Sequence, residues 1–179
     1  TEHWLCGERA VEIVMKPGEK YKTLQAAQRI WKTLMKHHAD RQTVVVNLGG
    51  GVITDLGGFV ASCYQRGIRF VNVPTTLLAM VDAALGGKTG VDFGGCKNQI
   101  GTFAEPMEVW ISPIYLSTLP QREILSGLAE MMKYGFIAYP PMLKVTPDNY
   151  QEYLLTAGKL KREIVAKDPL ELGLRKILN

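Results

Sequence analysis

The 179-residue chain is 46% hydrophobic, enough for one good core or for one core and part of a second. Its net charge of +4 comes from scattered lysines and arginines, which argues against a nucleic-acid-binding stripe and leaves room for a small anionic substrate. No apolar run approaches the ~20 residues of a membrane span, the start TEHWLCGERA lacks a signal-peptide layout, and three cysteines without CxxC spacing suggest neither a disulfide framework nor a zinc knuckle, so a reducing, cytoplasmic setting is expected.

In chain order, Leu24, Ala27, Ile30, Trp31 and Leu34 recur at helical spacing and predict an amphipathic helix over Tyr21–Met35, closed by HHADRQ. Thr43–Leu48 is a continuous apolar strand. Gly49, Gly50 and Gly51 follow it and lead into a helix expected to begin near Thr54 or Asp55. Glycines there let the backbone approach a pyrophosphate while a helix N-terminus offers unpaired N–H groups. A plain turn would use glycine too, and GGG is not GxGxxG. Asp55 suits either a ribose contact or an N-cap. Arg66 stands before Gly67, and RFVNV (Arg69–Val73) and Val109–Ile111 are the next strands. Apolar strands alternating with helical segments predict a parallel sheet covered on both faces.

Pro74–Phe103 is the densest stretch in chemical groups. Asp82 is read as lying inside the apolar helix LLAMVDAAL, where a carboxylate needs a close partner. Lys88 follows one Gly-Gly pair and Lys97-Asn98 follows another, which predicts two glycine-hinged loops delivering a lysine clamp for anionic oxygens. Exposed turns are the plainer reading of each loop alone. After Thr118-Leu119-Pro120 only helices are expected, which suggests an α/β domain over residues 1–119, short of strands at its front, and the start of a helical domain over residues 120–179. Glu130 and Lys133 lie three apart on a helix and so share a face, as a surface ion pair would. Lys161, Arg175 and Asn179 add two cations and an amide.

Taken together, GGGVITDLGGFVAS, PTTLLAMVDAALGGKTGVD, KNQIGTF, TLPQREILSGLAEMMKYG and KREIVAKDPLELGLRKILN resemble the 3-dehydroquinate synthase family over roughly Pro17–Asn179. The resemblance implies a Rossmann-like NAD-binding domain followed by a helical domain, a divalent metal such as zinc or cobalt, and a homodimer. It implies a carbon–oxygen lyase that converts 3-deoxy-D-arabino-heptulosonate 7-phosphate to 3-dehydroquinate and phosphate in the shikimate pathway, with NAD used and regenerated.

By the same resemblance Glu19, Lys22, Gly50, Gly51, Asp55, Thr75, Thr76, Leu78, Lys88, Lys97 and Thr118 contact NAD. Asp82, Lys88, Asn98, Lys133, Lys161, Arg175 and Asn179 contact substrate, with Asp82, Lys88, Lys133 and Lys161 carrying the chemistry. Arg66 is lent across the dimer interface, and Glu130 is one of three metal ligands. The family's other two ligands are histidines beyond the GLRxxLN motif, where this sequence ends. His3, His37 and His38 do not match them, so the chain alone is expected to be a fragment without activity. Ala84-Leu85 and Ser112 depart from the residues common in the family. Alternative readings are another sugar phosphate cyclase, a metal-dependent polyol dehydrogenase of the same superfamily, and a nucleotide-binding fragment with no activity.

Overall fold

The computed structural model describes residues 10–173 and 175. A 3-10 turn at Glu19–Tyr21 is followed by Thr23, whose hydroxyl accepts from the Ala26 N–H at 3.2 Å and caps α1 (Leu24–Lys36). The chain continues through β1 (Val44–Gly49), α2 (Gly51–Cys63), β2 (Arg69–Pro74), a short α3 (Leu77–Val81), β3 (Lys88–Phe93), β4 (Cys96–Phe103), β5 (Glu108–Val109), α4 (Gln121–Ile137) and α5 (Tyr150–Lys167). None of the helices described is long and apolar enough to cross a membrane.

The expected parallel sheet is present, in the order β1-β2-β5, but it is not covered on both faces throughout: β2 is buried from Phe70 to Pro74, while Val44, Val46 and Leu48 leave one face of β1 exposed. β1 and β2 pair in register from Val44 opposite Arg69 to Gly49 opposite Pro74, with α2 as the crossover that a parallel pair requires. β5 pairs with β2 at Val71 and Asn72. The apolar stripe of α1 packs as its spacing predicts: Ala27 and Ile30 are buried with Leu56, Phe59, Val60 and Val91. Trp31 Nε1 donates to Val60 O at 3.0 Å and pins α1 to α2.

Three expectations need correcting. α2 starts at Gly51, not near Thr54 or Asp55, because Gly50 has extended backbone and opens the helix directly after β1. Asp55 is therefore inside the helix and is not its N-cap. The helix around Asp82 stops at Val81: Asp82 has φ −138° and ψ −75°, and a separate 3-10 turn runs over Ala83–Leu85. The two glycine-hinged loops are the two strands of one antiparallel hairpin, with Lys88 opposite Phe103 and Gly94-Gly95 at its tip, both at positive φ. Gly90 and Gly101 face each other across this hairpin, where a Cβ on Gly90 would stand 2.8 Å from Ile100 O.

Downstream of Pro120 the described elements are helical, as expected. Their core draws in α3: Leu77, Met80 and Val81 are buried with Ile124, Leu128 and Met131 of α4 and Leu154 and Ala157 of α5. α4 crosses α3 at Gly127, where an added Cβ would lie 2.6 Å from Leu77 Cβ and 2.8 Å from the backbone nitrogen of Leu78. A backbone atom cannot rotate away, so Gly127→Ala is expected to destabilise the chain by roughly 1–3 kcal/mol, read as a lower urea midpoint at unchanged slope.

Candidate functional site

The first group of predicted site residues gathers where β1 and β2 end. Thr75 N donates to Gly49 O at 2.9 Å and ties the two strand ends together. Gly50 supplies no side chain to cap α2, so the cap position holds no competitor for an anion at the first-turn N–H groups. A Cβ on Gly50 would approach Thr76 Cγ2 to 2.9 Å, and one on Gly51 would approach Ala83 Cβ to 3.4 Å, so the glycines also permit close packing of this turn on the β2–α3 connection. Thr76 caps α3 by accepting from Ala79 N, and Leu78 lies in the first turn of that helix. Gly50, Gly51, Thr75, Thr76 and Leu78 are thus neighbours, as a nucleotide cradle requires.

Asp55, one turn into α2, faces Lys22. The Lys22 ammonium is 2.6 Å from Asp55 Oδ2 and donates to Asn98 Oδ1 at 2.6 Å, and the side chain is almost fully buried. Glu19 Oε1 lies 3.8 Å from Lys22 Nζ and 3.7 Å from Lys97 Nζ. Burial pushes the Asp55 carboxyl above the usual carboxylate range, against the opposing pull of the Lys22 charge. Asn98 has φ 53° and is fixed from both sides, its N–H donating to Asp92 Oδ1 while its amide oxygen accepts from Lys22. Four residues read as cofactor contacts and one read as a substrate contact therefore form a single polar network. Asp92, whose own N–H donates to Lys22 O, is a member that the sequence did not single out.

The second group lies beyond the α3 break. Lys161 Nζ is 2.5 Å from Asp82 Oδ1, and Lys161 is 4% exposed, so this pair is the close partner that a carboxylate at this position demands. Arg175 is buried, donates to Gly86 O at 2.5 Å and to Asp168 O and Pro169 O, and keeps Nε without a hydrogen-bond partner among the described residues. A Cβ on Gly86 would meet Arg175 Nη2 at 3.5 Å and Lys161 Cε at 3.7 Å, which shows how tightly these cations converge. Lys88 opens β3 two residues later, half exposed, and pairs with Glu171 at 3.0 Å.

Tyr134, buried on α4, donates to Val81 O at 2.8 Å, and its oxygen is 3.4 Å from Asp82 Oδ1. Burial, then the Asp82 and Glu130 charges, push its hydroxyl far above the ordinary range, so it remains a donor. The Asp55 carboxyl also feels the Asp82 charge, which links this group to the first.

Glu130 and Lys133 approach to 2.5 Å, as the helical spacing predicts, but the pair is not the exposed surface bridge that spacing alone allows. Glu130 Oε1 is buried, and the ammonium lies out of line, so the oxygen is charge-balanced without accepting a hydrogen bond. A buried carboxylate oxygen with free lone pairs suits a divalent cation. It is one ligand only: among the described residues no three His, Cys, Asp or Glu side chains converge as a metal site.

Two predicted residues lie on elements outside both groups. Arg66 is exposed in the turn just past α2, about 20 Å from Gly51 by the length of that helix. Thr118 ends an exposed 3-10 turn, Pro113–Thr118. Asn179 and His3 lie outside the described residues. Tyr134, like Asp92, is a group that the sequence did not single out; its place four residues after Glu130, on the same helical face, was the available signal.

Comparison with known proteins places this fold among related structures. The structure is similar to 2-epi-5-epi-valiolone synthase from Streptomyces hygroscopicus, solved with NAD+ and Zn2+ bound, at TM-score 0.75 and 28% identity over 92% of this chain and 49% of that one. It is also similar to 2-deoxy-scyllo-inosose synthase complexed with carbaglucose-6-phosphate, NAD+ and Co2+, at TM-score 0.64 and 34% identity over 66% of this chain and 32% of that one. The fold is that of an α/β protein whose structural neighbours include sugar phosphate cyclases.

Within that class, a family model for the 3-dehydroquinate synthase N-terminal region matches residues 12–126. Curated 3-dehydroquinate synthases match across almost the whole chain, that of Thermococcus kodakarensis at 49% identity over 96% of this chain and 51% of its own length, and that of Pseudomonas aeruginosa LESB58 at 42% over 98% and 50%. The chain belongs to the 3-dehydroquinate synthase family. It spans about half the length of the curated relatives it matches.

Proposed function

We propose that this chain supplies the nucleotide cradle and one wall of the substrate site of an NAD- and metal-dependent 3-dehydroquinate synthase, a lyase that releases phosphate from 3-deoxy-D-arabino-heptulosonate 7-phosphate as the ring closes. The carrying observation is the junction of two networks: Glu19, Lys22, Asp55, Lys97 and Asn98 beside the glycine turn, and Asp82, Lys161 and Arg175 directly behind it.

The α2 N-terminus and Gly50-Gly51 receive the pyrophosphate, Thr75, Thr76 and Leu78 line its side, and Thr118 lies further along the cofactor path. Asp55 accepts from the nucleotide's hydroxyl or amide groups, with Lys22 and Glu19 setting its charge. Lys88, Lys97, Asn98, Lys133, Lys161, Arg175 and Asn179 hold the anionic ends of the substrate, and Asp82 accepts from its hydroxyls. Cations fixed in place before the substrate arrives stabilise charge that develops during elimination. When bound, NAD supplies reversible hydride transfer at one ring carbon, and a divalent cation held in part by Glu130 supplies Lewis-acid polarisation. Neither role requires a protein base among the residues named here.

The cofactor domain runs to Leu119 and the helical domain starts at Pro120. The assembly is a homodimer to which exposed Arg66 is presented, and the exposed free thiols of Cys63 and Cys96 suit the cytoplasm. With one metal ligand among its described residues, the chain by itself does not turn over.

Calorimetry with NAD+ tests the cradle. Gly50→Val is expected to weaken binding by about tenfold or more, because its side chain fills the space against Thr76 at the anion position. Unchanged affinity would remove the assignment. In the assembled enzyme, phosphate release without net NADH separates a cyclase from a polyol dehydrogenase.

A further inference from the structure

We propose that Tyr134 and Asn72 are positioning residues that set the Asp82 carboxylate against Lys161 by holding the chain on either side of it. The inference rests on the reading of Asp82 as a substrate-side group and assigns what puts it there.

The helix break leaves two backbone carbonyls without their helical donors. Asp82 N still bonds to Leu78 O at 2.9 Å, the last α-helical step, but Leu85 N turns to Asp82 O at 3.0 Å. In an unbroken helix Leu85 N would have served Val81 O. Val81 O is therefore left without its helical donor in a buried place, and Tyr134 Oη donates to it at 2.8 Å. Ala84 O is left in the same way, because Lys88 starts β3 in place of continuing a helix. Asn72 Nδ2 donates to Ala84 O at 3.1 Å.

Asn72 is 4% exposed in the central strand of the sheet, a position where its neighbours Val71 and Val73 are apolar and a polar amide is costly unless fully bonded. Its other end is committed too: Asn47, its register partner on β1, donates to Asn72 Oδ1 at 3.0 Å. That bond fixes the amide so that its N–H group faces Ala84. α2 passes over Asn47 at Gly57, where a Cβ would collide with the Asn47 amide, so the sheet makes room for this pair at a specific glycine. Two buried donors from different elements thus clamp Val81 and Ala84, and the residue between them with broken-helix dihedrals is Asp82, 2.5 Å from Lys161 and 3.4 Å from Tyr134 Oη.

The test uses the intact chain and reads each lysine separately, by the rate of amine acylation followed by peptide mass mapping. Lys161 and Lys22 are both buried and ion-paired, but in different networks, so Lys22 reports general loosening. Tyr134→Phe keeps the ring and removes only the hydroxyl. It should raise labelling of Lys161 by about fivefold, the effect of losing one ordinary hydrogen bond, with Lys22 unchanged. Asn72→Ser repeats the test from the opposite flank and should act in the same direction. Lys161 labelling unchanged in both variants, or rising in step with Lys22, would overturn the proposal. Raised labelling of Lys161 alone in a protein that does not bind nucleotide would count against the functional reading and still support the positioning.

Discussion

Replacing Lys22 by methionine is expected to destabilise the chain by roughly 2–4 kcal/mol and to abolish measurable NAD+ binding. Methionine nearly preserves the length and packing of the side chain but removes an ammonium that is 2% exposed and sits 2.6 Å from both Asp55 Oδ2 and Asn98 Oδ1. Asp55 then keeps a mostly buried carboxylate with no cation in contact, which is the costly half of a broken pair. The loss carries a pH signature.

Burial already holds the Asp55 carboxyl above its ordinary value of 3.8, and without Lys22 it moves further up. Between the ordinary and the raised value the folded chain binds more protons than the unfolded one, so stability falls as pH rises through that window. The gap between the parent and Lys22→Met should therefore be small in acid and widen toward neutrality. Urea titrations at several pH values check this. An equal loss at every pH would show that Lys22 acts through its hydrogen bond to Asn98 and not through its charge beside Asp55.

Much of the sheet was legible in the sequence because VVVNL and RFVNV are continuous apolar runs of strand length; β2 is buried from Phe70 to Pro74 as that pattern implies, whereas Val44, Val46 and Leu48 leave one face of β1 exposed. The stripe of α1 was legible for the same reason of periodicity. The β3–β4 hairpin was not. CKNQIGTF is polar and mostly exposed, so it lacks an apolar signature, and its two close-approach glycines declare their purpose only when Gly90 and Gly101 are opposite each other. Nor does LLAMVDAAL contain a helix breaker; its break at Asp82 is set by Tyr134, 52 positions on, and by Asn72 from another layer.

The site shows the same division. Motif resemblance named Lys22, Asp55 and Asn98 one by one, whereas their mutual bonding joins residues 33 and 76 positions apart and is a product of the fold. The assignment of Asn98 to substrate and Lys22 to cofactor conceals that one hydrogen bond joins them. Lys97, predicted as half of a clamp, is largely exposed on β4 with Glu19 nearby, while Lys161 and Arg175, each plain in sequence, join Lys22 as buried cations.

Glu130→Gln is expected to separate stability from metal affinity in opposite senses. If Glu130 were a structural ion pair, removing its charge would leave Lys133 unmatched and lower stability. Lys133 is one-third exposed, however, and can turn to water, whereas Glu130 Oε1 is buried and accepts no hydrogen bond. A carboxylate kept in that state lowers stability in the absence of a cation, because its desolvation is only partly offset by one misaligned ammonium. Glutamine removes that penalty at nearly the same volume, so the urea midpoint should hold or rise. In the assembled enzyme, which supplies the remaining ligands, zinc affinity should fall by about a hundredfold, at least the upper end of what the loss of a supporting residue does to a metal site. Zinc titration against a competing chelator, with urea melts on the same two proteins, reads both quantities. A fall of several kcal/mol in stability with unchanged zinc affinity would return Glu130 and Lys133 to an ordinary helical salt bridge and remove the metal assignment.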